Sequence, residues 1–213
     1  MMNIYSFPTF NLAKILITAE ELNLDYHLHL LDAKQGDHKT PAHCARHPLG
    51  KVPTIEIDGQ HYIESNSICR LLAERNENRL YGNTPEQHAL INQWMDLMAL
   101  HTGRWMGAYF FEQGVKPHLI GSEPNNDKLD EAAGFLKEQL PVIEQTLQAQ
   151  SFLTGETLTI ADIVAFSYCL IQEYTQLNFD DYPAIERWYQ LIKARPSYAR
   201  AMQQSPHGEM TPY

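Results

Sequence analysis

The run Leu49-Gly50-Lys51-Val52-Pro53-Thr54-Ile55, followed by Glu64-Ser65-Asn66, holds the residue types that a peptide socket needs. Its proline stands at the mouth of a strand, where an X-Pro bond can be built in cis. A cis bond there turns the Val52 backbone outward and leaves its N–H and C=O to pair with an extended peptide. Glu64 and Ser65 set an acceptor and a donor at the start of a helix, where spare backbone N–H groups favour a carboxylate. The fitting ligand is a small peptide with an ammonium and a carboxylate at one end. Lys39 and Lys51 are candidates for a second carboxylate, although Lys39 reads equally well as a solvated loop charge.

These residues need a sheet and helices to position them. Asn3–Phe7 is rich in β-formers and reads as a strand ended by Pro8. Apolar residues at Leu12, Ile15, Leu16, Ala19 and Leu22 predict a helix over Asn11–Leu22. Tyr26–Leu31 alternates Tyr26, Leu28 and Leu30 with His27 and His29, the period of a strand. A β-α-β unit of this kind pairs its strands in parallel by a right-handed crossover. Asp58-Gly59 between Thr54–Ile57 and His61–Ile63 signals a hairpin. Ile68, Leu71 and Leu72 then give helical spacing over Asn66–Arg75. The order β-α-β, β-β-α is a thioredoxin-like arrangement, a mixed four-stranded sheet with helices on its faces.

Asn76–Pro85 loses all periodicity and reads as a linker. The rest reads as helical: one long helix from Glu86 to about Phe111, then Lys128–Gln148 with Pro141 as a possible kink, Thr159–Gln172 and Ala184–Ala194. The expected division is a thioredoxin-like domain at 1–78 and an all-helical domain at 86–213. The polar tail Gln203–Tyr213 reads as loosely held. Thr159-Ile160-Ala161-Asp162 is a capping box, a folding device. Tyr5 lies inside the first strand, so its ring is expected to fill the core.

Composition narrows the function. The chain has 213 residues, a formal net charge of -10 and no basic face of the kind that nucleic-acid binding demands. No apolar run reaches the roughly 18 residues that cross a bilayer. The N-terminus does not read as a secretory signal. The three cysteines form neither a CxxC nor a metal-spaced pair, which fits free thiols in a reducing cytoplasm. No metal is expected.

Taken together, Tyr5-Ser6-Phe7-Pro8, Gly50-Lys51-Val52-Pro53, Glu64-Ser65-Asn66-Ser67-Ile68 and Leu158-Thr159-Ile160-Ala161-Asp162 resemble the cytosolic glutathione transferase family over nearly the whole chain. The resemblance is bacterial in flavour, with nu-like, phi-like and theta-like features. It implies a cytoplasmic homodimer that binds glutathione as co-substrate and conjugates it to a small apolar electrophile in detoxification. The nu-like pattern Pro-Thr-Pro-Asn aligns without a gap onto Pro8-Thr9-Phe10-Asn11, which makes Thr9 the first choice for the catalytic hydroxyl, with Asn11 beside it and Ser6 as the alternative. The Gly-Asp-His-Lys run matches the family's loop and brings in His38 and Lys39. The glutathione set is then His38, Lys39, Lys51, Val52, Pro53, Glu64 and Ser65. His47 stands where the family usually has Asn. Phe7, Phe10, Met98, His101, Arg104, Trp105 and Tyr109 are the candidates for the second-substrate pocket, although a stripe at that spacing more often packs a core. Two other functions stay open: glutathione-dependent reduction of disulfides or peroxides, and a non-catalytic dimerisation module of the kind carried by elongation-factor gamma subunits.

Overall fold

Burial alternates along Met2–Ser6, with Met2, Ile4 and Ser6 inward and Asn3 and Tyr5 outward, the period of a half-buried strand. In the computed structural model, which describes residues 1–204, this strand (β1) is central in a four-stranded sheet of order β2-β1-β3-β4. Tyr26–Leu30 (β2) runs parallel to it, with Met2 opposite Tyr26 and Ser6 opposite Leu30. Thr54–Ile57 (β3) pairs with β1 antiparallel, Ile4 facing Ile55, and Gln60–Tyr62 (β4) pairs with β3. Asp58 and Gly59 join β3 to β4 at φ of 53° and 78°, the positive values that a two-residue type I′ hairpin requires.

Helix α1 (Phe10–Leu22) is buried almost all round, including Leu12, Ala13, Ile15, Leu16 and Ile17. It packs on α3 (Ser65–Glu74), and two later helices, α7 (Ile160–Cys169) and α9 (Pro196–Gln203), cover its other sides. A helix buried on nearly every face belongs in the middle of a protein. Here α1 is the joint between the sheet unit and the helical unit. Its end is clasped electrostatically: Glu21 accepts from Arg195 Nε at 2.6 Å and Nη2 at 2.8 Å and also from Ser197 Oγ, while Glu20 pairs with Arg200.

The helical unit departs from the sequence expectation in one place that matters. The helix expected from Glu86 to about Phe111 is not a single α-helix. An α-helix (α4, Pro85–Leu97) passes into a π-helical turn at Met98–Thr102, then α5 (Gly103–Tyr109), then a second π segment at Phe110–Ile120. Gly103 explains the first turn. A Cβ there would lie 2.2 Å from the Met98 carbonyl and 2.8 Å from the Tyr168 ring, so only glycine lets α7 approach so closely. Helix α6 (Asn126–Ala149) runs on through Pro141, and α8 (Pro183–Lys193) follows α7.

Two short helices escape periodicity: α2 (Pro41–Arg46) and α9 each start with proline at N1, and Thr40 caps α2 by accepting from His43 N. Tyr5 is a correction. Its ring is half-buried on the outer sheet face, stacked on His29 at 4.6 Å with the Arg46 guanidinium 4.1 Å above it, and its hydroxyl donates to Glu56. The strand's alternation gives the core to Ile4 and leaves Tyr5 to the side of short α2. The expected loose tail lies outside the described residues from Ser205 on; Gln203 closes α9.

Candidate active site

The loop before β3 is shaped by its own sequence. Gly50 has φ +55°, and a Cβ on it would meet the His38 carbonyl at 2.8 Å. Lys39 Nζ donates to the Leu49 and Gly50 carbonyls at 3.1 and 2.9 Å, and a His43 ring nitrogen lies 2.7 Å from the Lys51 carbonyl. The Val52–Pro53 bond is cis. Among the described residues, no hydrogen bond engages the Val52 N–H or C=O. That edge opens on a cleft of about 510 Å³ bordered by Asn11, Lys51, Val52, Pro53, Glu64 and Ser65 from the sheet unit.

The floor of the cleft is the start of α3. Glu64 is its N-cap at φ +65°, ψ +102°, a conformation that side-chain-bearing residues rarely adopt. No side chain caps the first turn, so its N–H groups stay available to an anion. Ser65 Oγ donates to Asn11 Oδ1 at 3.2 Å. The Ser65 hydroxyl proton is thereby spent within the protein, and the Asn11 amide keeps its Nδ2 donor for a ligand.

The catalytic candidates separate. Asn11 borders the cleft. Thr9 does not: it is 5% exposed, and its Oγ1 caps α1 by accepting from Leu12 N at 3.2 Å, which leaves its proton without an acceptor among the described residues. Ser6 is fully buried and donates to the Phe7 carbonyl at 2.8 Å, so the fold already uses its hydroxyl. His38 and Lys39 stand beside the cleft loop, not on the cleft surface. The His38 ring meets Phe7 edge-on at 5.5 Å, and burial, joined by the Lys39 and His43 charges, pushes it below the usual histidine range.

None of the second-substrate candidates borders this cleft. Phe10 is buried against Phe110 and Tyr168, Met98 is fully buried, and Trp105 stacks on Phe135 at 4.2 Å with the Arg104 guanidinium 4.9 Å from the centre of the indole. His101 is exposed; Phe7 is engaged by His38, and Tyr109 is half-buried. For the candidates on the long helix, the π-turn at Met98–Thr102 breaks the 3.6-residue period that the stripe assumes. The helical wall of the cleft is instead Asp96, Ala99, Leu100 and Tyr168. Arg70 of α3 reaches across to that wall, held by Asn92 at 2.6 Å and Asp96 at 3.1 Å. His47 and Asn66 also border the cleft and were missed. Asn66 sits one residue past Ser65, so its helix position was a usable signal.

Among the described residues, no cluster of His, Cys, Asp and Glu is arranged to hold a metal ion, and no helix is long and apolar enough to cross a membrane.

Comparison with known proteins bears on this cleft. A family profile described as "Glutathione S-transferase, N-terminal domain" matches residues 13–75, and one described as "Glutathione S-transferase, C-terminal domain" matches 106–196. The chain is 33% identical over 204 residues to glutathione S-transferase 4 of Zea mays, covering 94% of this chain and 91% of that protein. Among solved structures, it resembles glutathione S-transferase I from maize in complex with an atrazine glutathione conjugate, at 26% identity and a TM-score of 0.85, covering 94% of this chain and 95% of the other. It is equally similar to a theta class glutathione S-transferase from Xanthomonas axonopodis pv. citri with glutathione bound, at 26% identity and a TM-score of 0.85, covering 94% and 96%.

Proposed function

This chain belongs to the cytosolic glutathione transferase family, and from that membership and the shape of its cleft we infer that it binds glutathione and conjugates it to an electrophile. One observation carries the reading: the unpaired Val52 backbone edge, the Asn11 amide and the uncapped first turn of α3 open on one cleft. An extended tripeptide pairs its cysteinyl backbone with Val52. Its γ-glutamyl carboxylate meets the α3 N–H groups and its ammonium meets Glu64. Lys51 faces the glycyl carboxylate. The thioredoxin-like unit (1–78) carries this socket, and the helical unit (86–213) supplies the opposite wall.

The chemistry needs a thiolate. A free thiol, with a reference pKa of about 8.5, is only a few per cent ionised at neutral pH. Each unit of depression corresponds to about 1.4 kcal/mol of preferential stabilisation of the anion. Asn11 Nδ2 on the cleft surface is the first proposed donor, and the Thr9 hydroxyl, nearly buried at the N-terminal cap of α1, is the second, both at the positive end of that helix. The thiol gives up its proton to solvent, the thiolate attacks the electrophilic carbon, a thioether C–S bond forms, and the leaving group departs with its electron pair.

No cysteine borders the cleft, and Cys69 and Cys169 are buried. That supports chemistry in which glutathione alone is the nucleophile, including reduction of a disulfide by two glutathione molecules in succession. Purified protein given glutathione with either an aryl halide or a mixed disulfide tests the assignment. Formation of the aryl thioether supports conjugation. Turnover of the disulfide alone moves the chain to the reductase reading. Absence of any heat with millimolar glutathione in calorimetry removes both. We also take the enzyme to be a cytoplasmic homodimer, as the free thiols and its family support; light scattering of the purified protein checks the dimer.

A further inference from the structure

Lys14 lies in the middle of α1 and is fully buried, an exceptional place for an ammonium. Its Nζ donates to Asn66 Oδ1 at 3.1 Å and lies 4.6 Å from the centre of the Tyr168 ring. Both partners border the cleft, one from each structural unit. Asn66 continues the chain by donating from Nδ2 to the Met95 carbonyl of α4 at 3.5 Å.

We propose that Lys14 is a positioning residue for the anionic end of glutathione: its buried ammonium fixes Asn66 and the Tyr168 ring in the cleft wall and sets a positive charge behind the first turn of α3. The proposal rests on the cleft being the glutathione site. Among the described residues no carboxylate forms a salt bridge with the ammonium: its polar contact is a neutral amide, its other contacts are the faces of the Tyr168 and Phe10 rings, and the Glu64 charge at the α3 cap acts on it only from beyond salt-bridge distance. A cation so placed is under-compensated until an anion arrives in front of it. The γ-glutamyl carboxylate, seated on the α3 N–H groups, is that anion. Low local dielectric lets the two charges act through the wall.

The groups facing the ammonium are few. From α3 they are Asn66, Cys69 and, at the cap, Glu64; from α7 Tyr168; on α1 itself Phe10. Burial lowers the Lys14 ammonium to about 8, opposed by Cys69 and Glu64. Burial raises both Cys69 and, to about 12, Tyr168, so neither titrates in the same range.

S-methylglutathione is the probe, because it lacks the ionising thiol. Its affinity for wild-type protein should fall about fivefold from about pH 7 to about pH 9 as the ammonium is lost. Lys14→Met should bind about tenfold more weakly at pH 7 and show no such fall beyond the ligand's own titration. Lys14→Arg keeps its charge throughout and should restore affinity and level the profile. KM for glutathione should rise in Lys14→Met by the same factor while kcat changes little. If wild-type protein binds no S-methylglutathione, the site reading falls and the proposal with it. If wild-type protein binds but its profile matches that of Lys14→Arg, or Lys14→Met binds as well as wild type, only the Lys14 proposal is overturned. The wild-type and Lys14→Arg profiles decide the matter even where Lys14→Met does not fold.

Discussion

Ser65 Oγ and Asn11 Oδ1 lie 3.2 Å apart, and this hydrogen bond ties the start of α3 to the first turn of α1. The proposed socket for the γ-glutamyl end and the proposed donor for the sulfur are therefore one hydrogen-bonded unit. On the proposed function, seating the substrate's head would orient the amide proposed to stabilise its thiolate.

Asn11→Asp keeps the size of the side chain, removes the Nδ2 donor and sets a negative charge near the sulfur. We expect kcat/KM to fall about 100-fold, the size typical of one lost preorganised donor. The bound thiol should ionise at higher pH, read by ultraviolet titration of the thiolate. Thr9→Ala is a two-part case. It removes the α1 cap, which costs about 1 kcal/mol of stability, and it lowers turnover more than Ser6→Ala or Tyr5→Phe does. Thr9→Ser should preserve both. A Tyr5→Phe variant that loses activity while Thr9→Ala keeps it would reverse the assignment.

Glu64 holds φ +65° at the mouth of the cleft. Backbone strain of this kind costs of order 1–3 kcal/mol and persists where it serves a site. Glycine adopts the conformation freely but loses more entropy on folding. Glu64→Gly should therefore raise stability by about 1 kcal/mol in denaturant melts, while glutathione affinity drops at least tenfold with loss of the carboxylate. A variant neither more stable nor weaker in binding contradicts the role given to this residue.

The clasp of α1 onto α9 should be acid-sensitive. Burial pushes the Glu21 carboxyl up, but hydrogen bonds from Arg195 and Ser197 and the charges of Arg195 and Arg200 outweigh it and leave it below the usual glutamate range. A carboxyl depressed in the folded state contributes stability that is present above its unfolded value, about 4.3, and is lost as pH falls through the folded value. Arg195→Ala should destabilise by about 1–2 kcal/mol near neutral pH, because Arg195 is partly exposed. The difference from wild type should shrink below about pH 4. Urea melts across that range measure it.

The fold was legible where period and punctuation agree. Asp58-Gly59 marked the hairpin, and Thr159 with Asp162 marked the start of α7, where the Asp162 carboxylate, fully buried, accepts from Thr159 N, Thr159 Oγ1, Leu153 N and Trp188 Nε1. The sheet-side border of the cleft was legible because Val52-Pro53 and Glu64-Ser65 stand out within short spans. The helical wall was not. A stripe read at 3.6 residues per turn presumes an unbroken α-helix, and the π-turn at Met98–Thr102 hands the wall to Ala99 and Leu100. Lys14 was equally hidden: a lysine in an amphipathic pattern reads as solvent-facing, and only packing on every side of α1 reverses that. Helices of six and eight residues, α2 and α9, are too short for a period to show.

Gly103 links that π-turn to the site. The hypothetical Cβ meets the Met98 carbonyl, which is backbone, and the ring of Tyr168, which is wedged between Lys14 and Phe10. Neither neighbour can yield cheaply. Gly103→Ala should cost about 3 kcal/mol, the upper end of the overpacking range, although alanine favours a helix elsewhere. The strain should reach the cleft through Tyr168, so glutathione affinity should fall in the same variant. Gly107 is the control: a Cβ there meets nothing within 4 Å, and Gly107→Ala should stabilise α5 by up to about 1 kcal/mol with affinity unchanged. Thermal melts and calorimetry on the pair separate the two cases, and equal stability of both variants would mean that the close approach of α7 is not what holds position 103 to glycine.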